Sequence, residues 1–183
     1  GLINNLLKLS IVCSNPPVTG RNINSYYQHL FGDIKHDYVL DYLQDKNFLD
    51  IGSGLNHLYS KSLLYTLIQN VEQSNAHKKP IIMGLDTYQF PKNKHFTRGS
   101  VYNLEFPDNT FDIIVSQYLL YYWIDDIEHL LKIFYQLTKI LKNKGQIRIY
   151  PIFFGNYHFN DTRLINYLHS HYKVEIFHPK FNM

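Results

Sequence analysis

The chain has 183 residues, 45% of them hydrophobic and 18% charged, with a formal net charge of +3. That composition excludes a disordered chain, and the length suits one domain with a buried core. A single cysteine excludes an internal disulfide and fits a reducing, cytoplasmic compartment, no apolar run approaches the ~20 residues of a membrane span, and no dense Lys/Arg run marks a nucleic-acid footprint.

Apolar residues at 2, 3, 6, 7, 9, 11 and 12 fit a short amphipathic helix over residues 1–12. Lys8 interrupts that run and no basic flank precedes it, which argues against a signal peptide. Pro16, Pro17 and Gly20 mark a loop. Residues 22–31 predict a helix stopped at Gly32, and a second helix restarts with Asp33 as its cap. Residues 1–45 are thus expected to be a helical cover on an α/β core spanning 46–183, the two forming one domain.

From residue 47 onward strand and helix alternate. Residues 47–51 predict a buried strand and 57–72 a helix. Further strands are expected at 80–86, 95–100 and 111–117. The last of these, "FDIIVSQ", has the continuous apolar core of a parallel strand. Residues 125–141 predict a helix with Asp125 and Asp126 in its first turn, where they suit the dipole, and one apolar face at 127, 130, 131, 134, 137, 140 and 141. "NKG" ends it before a fifth strand from 146, and a helix near 161–170 and a strand near 172–177 follow. This order predicts a doubly wound, mostly parallel sheet.

Ligands of such sheets bind beyond the carboxyl ends of the strands. Gly52 and Gly54 follow the first core strand, where glycine lets the backbone turn tightly and approach a ligand. A plain turn is the alternative. A dinucleotide fingerprint would need a third glycine at position 57, where His57 stands, which counts against a dehydrogenase. No metal-ligand spacing is present: there is no H-E-x-x-H and no cysteine cluster.

Four stretches in order, "FLDIGSG", "IIMGLD", "GSVYNLEFPDNTFDIIVSQYLL" and "HLLKIFYQLTKILKNKGQIRI", resemble the class I S-adenosylmethionine-dependent methyltransferases over residues 47–150. The resemblance implies a Rossmann-like sheet and an enzyme with S-adenosylmethionine as cofactor. By position, Asp50, Gly52, Ser53 and Gly54 match the loop that holds the methionine part of the cofactor. Asp86 matches the acidic residue that accepts from the ribose hydroxyls, with a capping role as the alternative. Ser100 and Val101 fall where the family contacts adenine, with Ser100 in place of a frequent Asp. Ser116 and Gln117 end the fourth core strand beside the reacting methyl. Asn56 stands where the family often has a third glycine, and asparagine tolerates left-handed backbone.

The acceptor pocket is expected from Tyr118, Tyr121, Tyr122 and Trp123 after the fourth core strand, and from Tyr26 and Tyr27 in the N-terminal cover. His158 is a weak candidate for a general base. The expected acceptor is a small molecule. RNA, protein, or a degenerate domain that binds the cofactor without transfer are the alternatives, and the modest charge disfavours nucleic acid. The family's closing antiparallel strand has no counterpart after residue 177. The edge left by "KVEIF" is expected to be covered by residues 1–12 or to pair with a second chain.

Overall fold

A computed structural model of the chain describes residues 10–14, 30–120, 124, 126–150 and 161–177. The predicted helix–strand alternation becomes one seven-stranded sheet of β1 (Ser10–Ser14), β2 (Phe48–Ile51), β3 (Ile82–Asp86), β4 (Phe96–Arg98), β5 (Phe111–Gln117), β6 (Leu141–Tyr150) and β7 (Lys173–Phe177). Their spatial order is β4-β3-β2-β5-β6-β1-β7, and all six pairings are parallel. The sheet is Rossmann-like and holds no antiparallel strand among the described residues.

Successive strand residues point to opposite faces, and both faces are buried. On one face, Phe48, Ile82, Ile113 and Val115 pack with Leu63, Leu64, Leu67 and Ile68 of helix α2 (Leu63–Gln73) and with Val39 and Leu43 of α1 (Val39–Leu43). On the other, Leu49, Ile51, Ile114, Ile147 and Ile149 meet Leu130, Phe134 and Leu137 of α3 (Ile127–Ile140) and Leu164 and Leu168 of α4 (Thr162–His171). Helices on both faces make the fold doubly wound. The apolar face expected of α3 is buried at 130, 131, 134, 137 and 140. Asp126 caps that helix by accepting from the N–H groups of Glu128 and His129. Asp125 lies outside the described residues.

Several expected boundaries shift. Residues 10–12, predicted as the end of a helix, belong to β1; residues 1–9 lie outside the described set. β1 does not lie across an edge but fills the slot between β6 and β7, with Ile11 opposite Ile147 on one side and Val174 on the other. β-branched Ile11 and Val12 suit a strand, and the ladders of β6 and β7 supply hydrogen-bond partners on both sides. β7 is the outer strand, and its Lys173–Glu175 ion pair at 3.3 Å puts charge on that edge, a feature that discourages pairing with another chain.

Helix α2 starts at Leu63 rather than 57, because Ser62 caps it through Oγ to the Tyr65 N–H at 3.0 Å. The residues before it form successive turns, Asn56 N–H to Ser53 O and Leu58 N–H to Leu55 O. The break expected at "NKG" is a bulge inside a longer β6. The register shifts between Phe111 and Ile113, and Lys144 takes φ +66°. A Cβ on Gly145 would stand 2.6 Å from the Lys142 carbonyl oxygen, so the kink needs glycine there.

Asp33 does not cap a helix. Its carboxylate accepts from Arg148 of β6 at 2.6 and 3.1 Å, and Arg148 also donates to the Leu30 carbonyl at 2.8 Å. The guanidinium, only 2% exposed, lies over the Phe31 ring at 4.5 Å. This cluster fastens residues 30–33 to the sheet.

Candidate functional site

The strand order reverses at β2, which has β3 on one side and β5 on the other. A crevice opens at that point, beyond the carboxyl ends of the strands. It is a cavity of about 760 Å³, within the ~300–1,000 Å³ usual for small-molecule sites. Asp50, Gly52, Ser53, Gly54, Asp86, Ser100, Val101, Gln117 and Tyr118 all line it. Tyr26, Tyr27, Tyr121, Tyr122, Trp123 and His158 lie outside the described residues.

The loop after β2 is built by backbone. Gly52 has φ +73°, and both its N–H and that of Ser53 donate to the Leu85 carbonyl at the end of β3, at 2.8 and 3.0 Å. A Cβ on Gly52 would stand 3.2 Å from Leu119, so the absent side chain is what lets the loop and the segment after β5 close together. Gly54 has φ +54°, but a Cβ there would meet nothing within 4 Å; its requirement is conformational rather than steric. Asn56 does not take the left-handed backbone expected of it. Its side-chain amide instead donates to Asp50 Oδ2 at 3.4 Å.

Asp86 ends β3 and works on both sides. Its Oδ2 accepts from the Gly54 N–H at 2.8 Å, and its Oδ1 accepts from the Tyr88 N–H at 3.2 Å. It thus closes the turn after β3 and steadies the glycine loop. Its Oδ1 also accepts from the Thr87 hydroxyl at 3.5 Å, and three hydrogen bonds still leave a carboxylate with acceptor capacity to spare. The Ser100 hydroxyl accepts from the Tyr102 N–H at 3.1 Å, so it shapes its own turn while its proton stays available. Val101 is buried in the core beneath. Tyr118 follows β5 with φ +62°, uncommon for a bulky residue, and its N–H donates to the Tyr150 carbonyl at 2.7 Å. The Tyr118 and Tyr150 rings meet edge to face at 5.5 Å.

Sequence reasoning missed the rim. Leu55, Tyr59, Lys61, Thr87, Tyr88 and Tyr102 also line the cavity. Tyr88 and Leu55 are 68% and 62% exposed, large apolar groups held at the mouth. Thr87, Tyr88 and Tyr102 adjoin residues that were singled out, and that adjacency was the available signal. Among the described residues no group of three or more His, Cys, Asp or Glu is placed to hold a metal. No helix of those residues is long and apolar enough to cross a membrane.

His57, beside the loop, is buried and stacks on Phe96 at 4.4 Å with Phe90 edge-on at 4.9 Å. Neither ring nitrogen has a hydrogen-bond partner. Burial pushes the imidazole below its ordinary value, outweighing the nearby Gly54 backbone, which favours the charged form. A depressed histidine means that the unfolded chain takes up a proton the folded chain resists, so stability falls as pH drops below ~6.5 toward the folded-state value. His57→Phe keeps the ring stack and removes two unpaired nitrogens. It is expected to stabilise the protein by about 1 kcal/mol. The melting temperature of the variant should also change less than that of the parent between pH 7.5 and 5.5; an equal slope sinks this account of His57.

Comparison with known proteins bears on what this cavity holds. The family model described as "Methyltransferase domain" matches residues 49–149, more than half of the chain. No curated protein matches. Among solved structures, a candidate S-adenosyl-L-methionine-dependent methyltransferase from Methanococcus maripaludis is similar at 19% identity and TM-score 0.41, over 84% of this chain and 75% of that one. A Pyrococcus horikoshii protein is similar at 14% identity and TM-score 0.42, over 71% and 66%. A chain from the complex of the Haloferax volcanii Trm112 methyltransferase activator with a candidate methyltransferase is similar at 18% identity and TM-score 0.39, over 72% and 61%. The chain therefore spans between about three fifths and three quarters of the length of these proteins.

Proposed function

This chain belongs to the class I S-adenosylmethionine-dependent methyltransferases, and from that premise we propose that it transfers the cofactor's methyl group to a small molecule bound at the cavity mouth. The observation that carries this reading is the meeting, around one cavity, of a left-handed glycine loop after β2 and a carboxylate at the end of β3. The residues present fit the cofactor. The left-handed loop over Gly52 to Gly54, open at Gly54 and with Asp50 beneath, suits its amino-acid end. Asp86 has acceptor capacity left for a ribose hydroxyl. Ser100 and Val101 would hold the adenine, and Gln117 and Tyr118 would lie toward the methyl.

The bound cofactor supplies a methyl group already activated on a sulfonium, with a neutral thioether as leaving group. What the chain adds is alignment and exclusion of water, and a base is needed only for an acceptor of high pKa. Leu55, Tyr59, Tyr88 and Tyr102 give the mouth an apolar, aromatic rim, suited to a compact acceptor with an apolar face. Lys61 is the single cation among the described residues that line the cavity, little positive charge for a nucleic-acid backbone.

Calorimetry with S-adenosylmethionine and S-adenosylhomocysteine, followed by an acceptor screen read by mass shift of +14, tests the reading. No binding of either compound overturns it. Binding without transfer to any small molecule favours the protein, RNA or degenerate alternatives. Asp86→Ala removes the proposed ribose acceptor and is expected to weaken binding on the order of tenfold or more, since hydrogen bonds to a charged group contribute about 1.5–3 kcal/mol each. An unchanged dissociation constant leaves Asp86 only its turn-closing role.

A further inference from the structure

Lys61 lines the cavity on the segment that joins the glycine loop to α2, immediately before the cap Ser62. It takes part in none of the ion pairs formed among the described residues. Among the described residues, the other charged groups lining the cavity are the carboxylates of Asp50 and Asp86. Asp50 is buried beneath the glycine loop, and Asp86 ends the neighbouring strand.

A ligand with an amino-acid end brings one cation and one anion. Two carboxylates can meet the cation and the sugar hydroxyls, but neither can meet the anion. We propose that Lys61 pairs with the carboxylate of the cofactor's methionine end, an inference that rests on the cofactor site described above. The N-terminus of α2 adds to the same field. Ser62 occupies one of its free N–H groups, and the partial positive charge of the helix end lies on the side of Lys61. Lys61 is thereby a specificity-determining residue: it makes the site prefer nucleosides that carry an amino acid over those that do not. The exposed ammonium is a flexible point charge, able to follow the carboxylate as the ligand settles.

The test compares two probes by calorimetry. S-adenosylhomocysteine carries the amino-acid end, and 5′-methylthioadenosine carries the same nucleoside and thioether without it. The parent should bind the first more tightly. Lys61→Met keeps the stem and removes the charge, and is expected to weaken S-adenosylhomocysteine about five- to tenfold, as loss of a charge-assisted contact does. Binding of 5′-methylthioadenosine should not change, and Lys61→Arg should restore most of the loss. Unchanged affinity for S-adenosylhomocysteine in Lys61→Met overturns the proposal and leaves an anionic acceptor as the partner of Lys61. Equal loss for both probes overturns it as well, because the variant has then distorted the pocket. If the parent binds neither probe, the cofactor site itself is wrong, a result distinct from the other two.

Discussion

Gly52→Val is expected to abolish measurable binding of S-adenosylhomocysteine while the chain stays folded. Gly52 sits at φ +73°, and left-handed backbone costs a residue with a Cβ roughly 1–2 kcal/mol, more when the side chain is branched. The Cβ would also stand 3.2 Å from both Cβ and Cδ2 of Leu119, so Leu119 or the loop must give way. The N–H of residue 52 is held to the Leu85 carbonyl at 2.8 Å, which leaves the loop little room to rotate away from the clash. Movement at this place displaces the backbone proposed to meet the amino-acid end of the cofactor. Gly54→Ala is the useful contrast, because a Cβ there meets open space and only the backbone preference is lost. The valine variant should therefore lose far more affinity than the alanine variant, with circular dichroism showing the same sheet in both. If Gly52→Val binds as the parent does, the cradle lies elsewhere.

Why the site was legible in the sequence follows from how it is made. Each element of the candidate site is local: a strand, then the residues that leave its carboxyl end. "FLDIGSG" and "IIMGLD" carry both parts in one short run, so naming the strand also placed Gly52, Gly54 and Asp86. β5 matched its expected span because a continuous apolar run ended by Ser116 and Gln117 has few other readings. The failures share a different cause. Leu58 and Tyr59 fall in the helix expected over 57–72, but both are exposed and Tyr59 lines the cavity. Periodicity reports which residues share a side, not whether that side faces a core or a ligand. β1 depends on β6 and β7, more than a hundred residues along the chain, and no local pattern in "SIVCS" distinguishes a strand that will find them from the end of an amphipathic helix. The role of Asn56 is local but of another kind. Its side chain, not its backbone freedom, ties the loop to Asp50.

Arg148 is another case of such distance, since its partner Asp33 lies 115 residues earlier. Arg148→Ala is expected to destabilise the chain by about 3–5 kcal/mol, a large part of the ~5–15 kcal/mol that holds a domain together. Three losses combine. The Leu30 carbonyl loses the donor at 2.8 Å, and Gln146 Oε1 loses the one at 2.7 Å. The space under Phe31 and Tyr42, where the guanidinium lies 4.5 and 5.8 Å from the ring centres, becomes a cavity. The Asp33 carboxylate loses its counter-charge, but its side chain is 32% exposed and can recover water. That last point separates charge from packing. Arg148→Met refills most of the space without the charge, so it should cost clearly less than Arg148→Ala, because the carboxylate left behind is not sealed in. Asp33→Asn should cost more than Arg148→Met, since it strands a guanidinium that is only 2% exposed. Urea unfolding of the three variants gives the order. Equal losses for Arg148→Ala and Arg148→Met would mean that the ion pair alone, and not the filled space beneath Phe31, fastens residues 30–33 to β6.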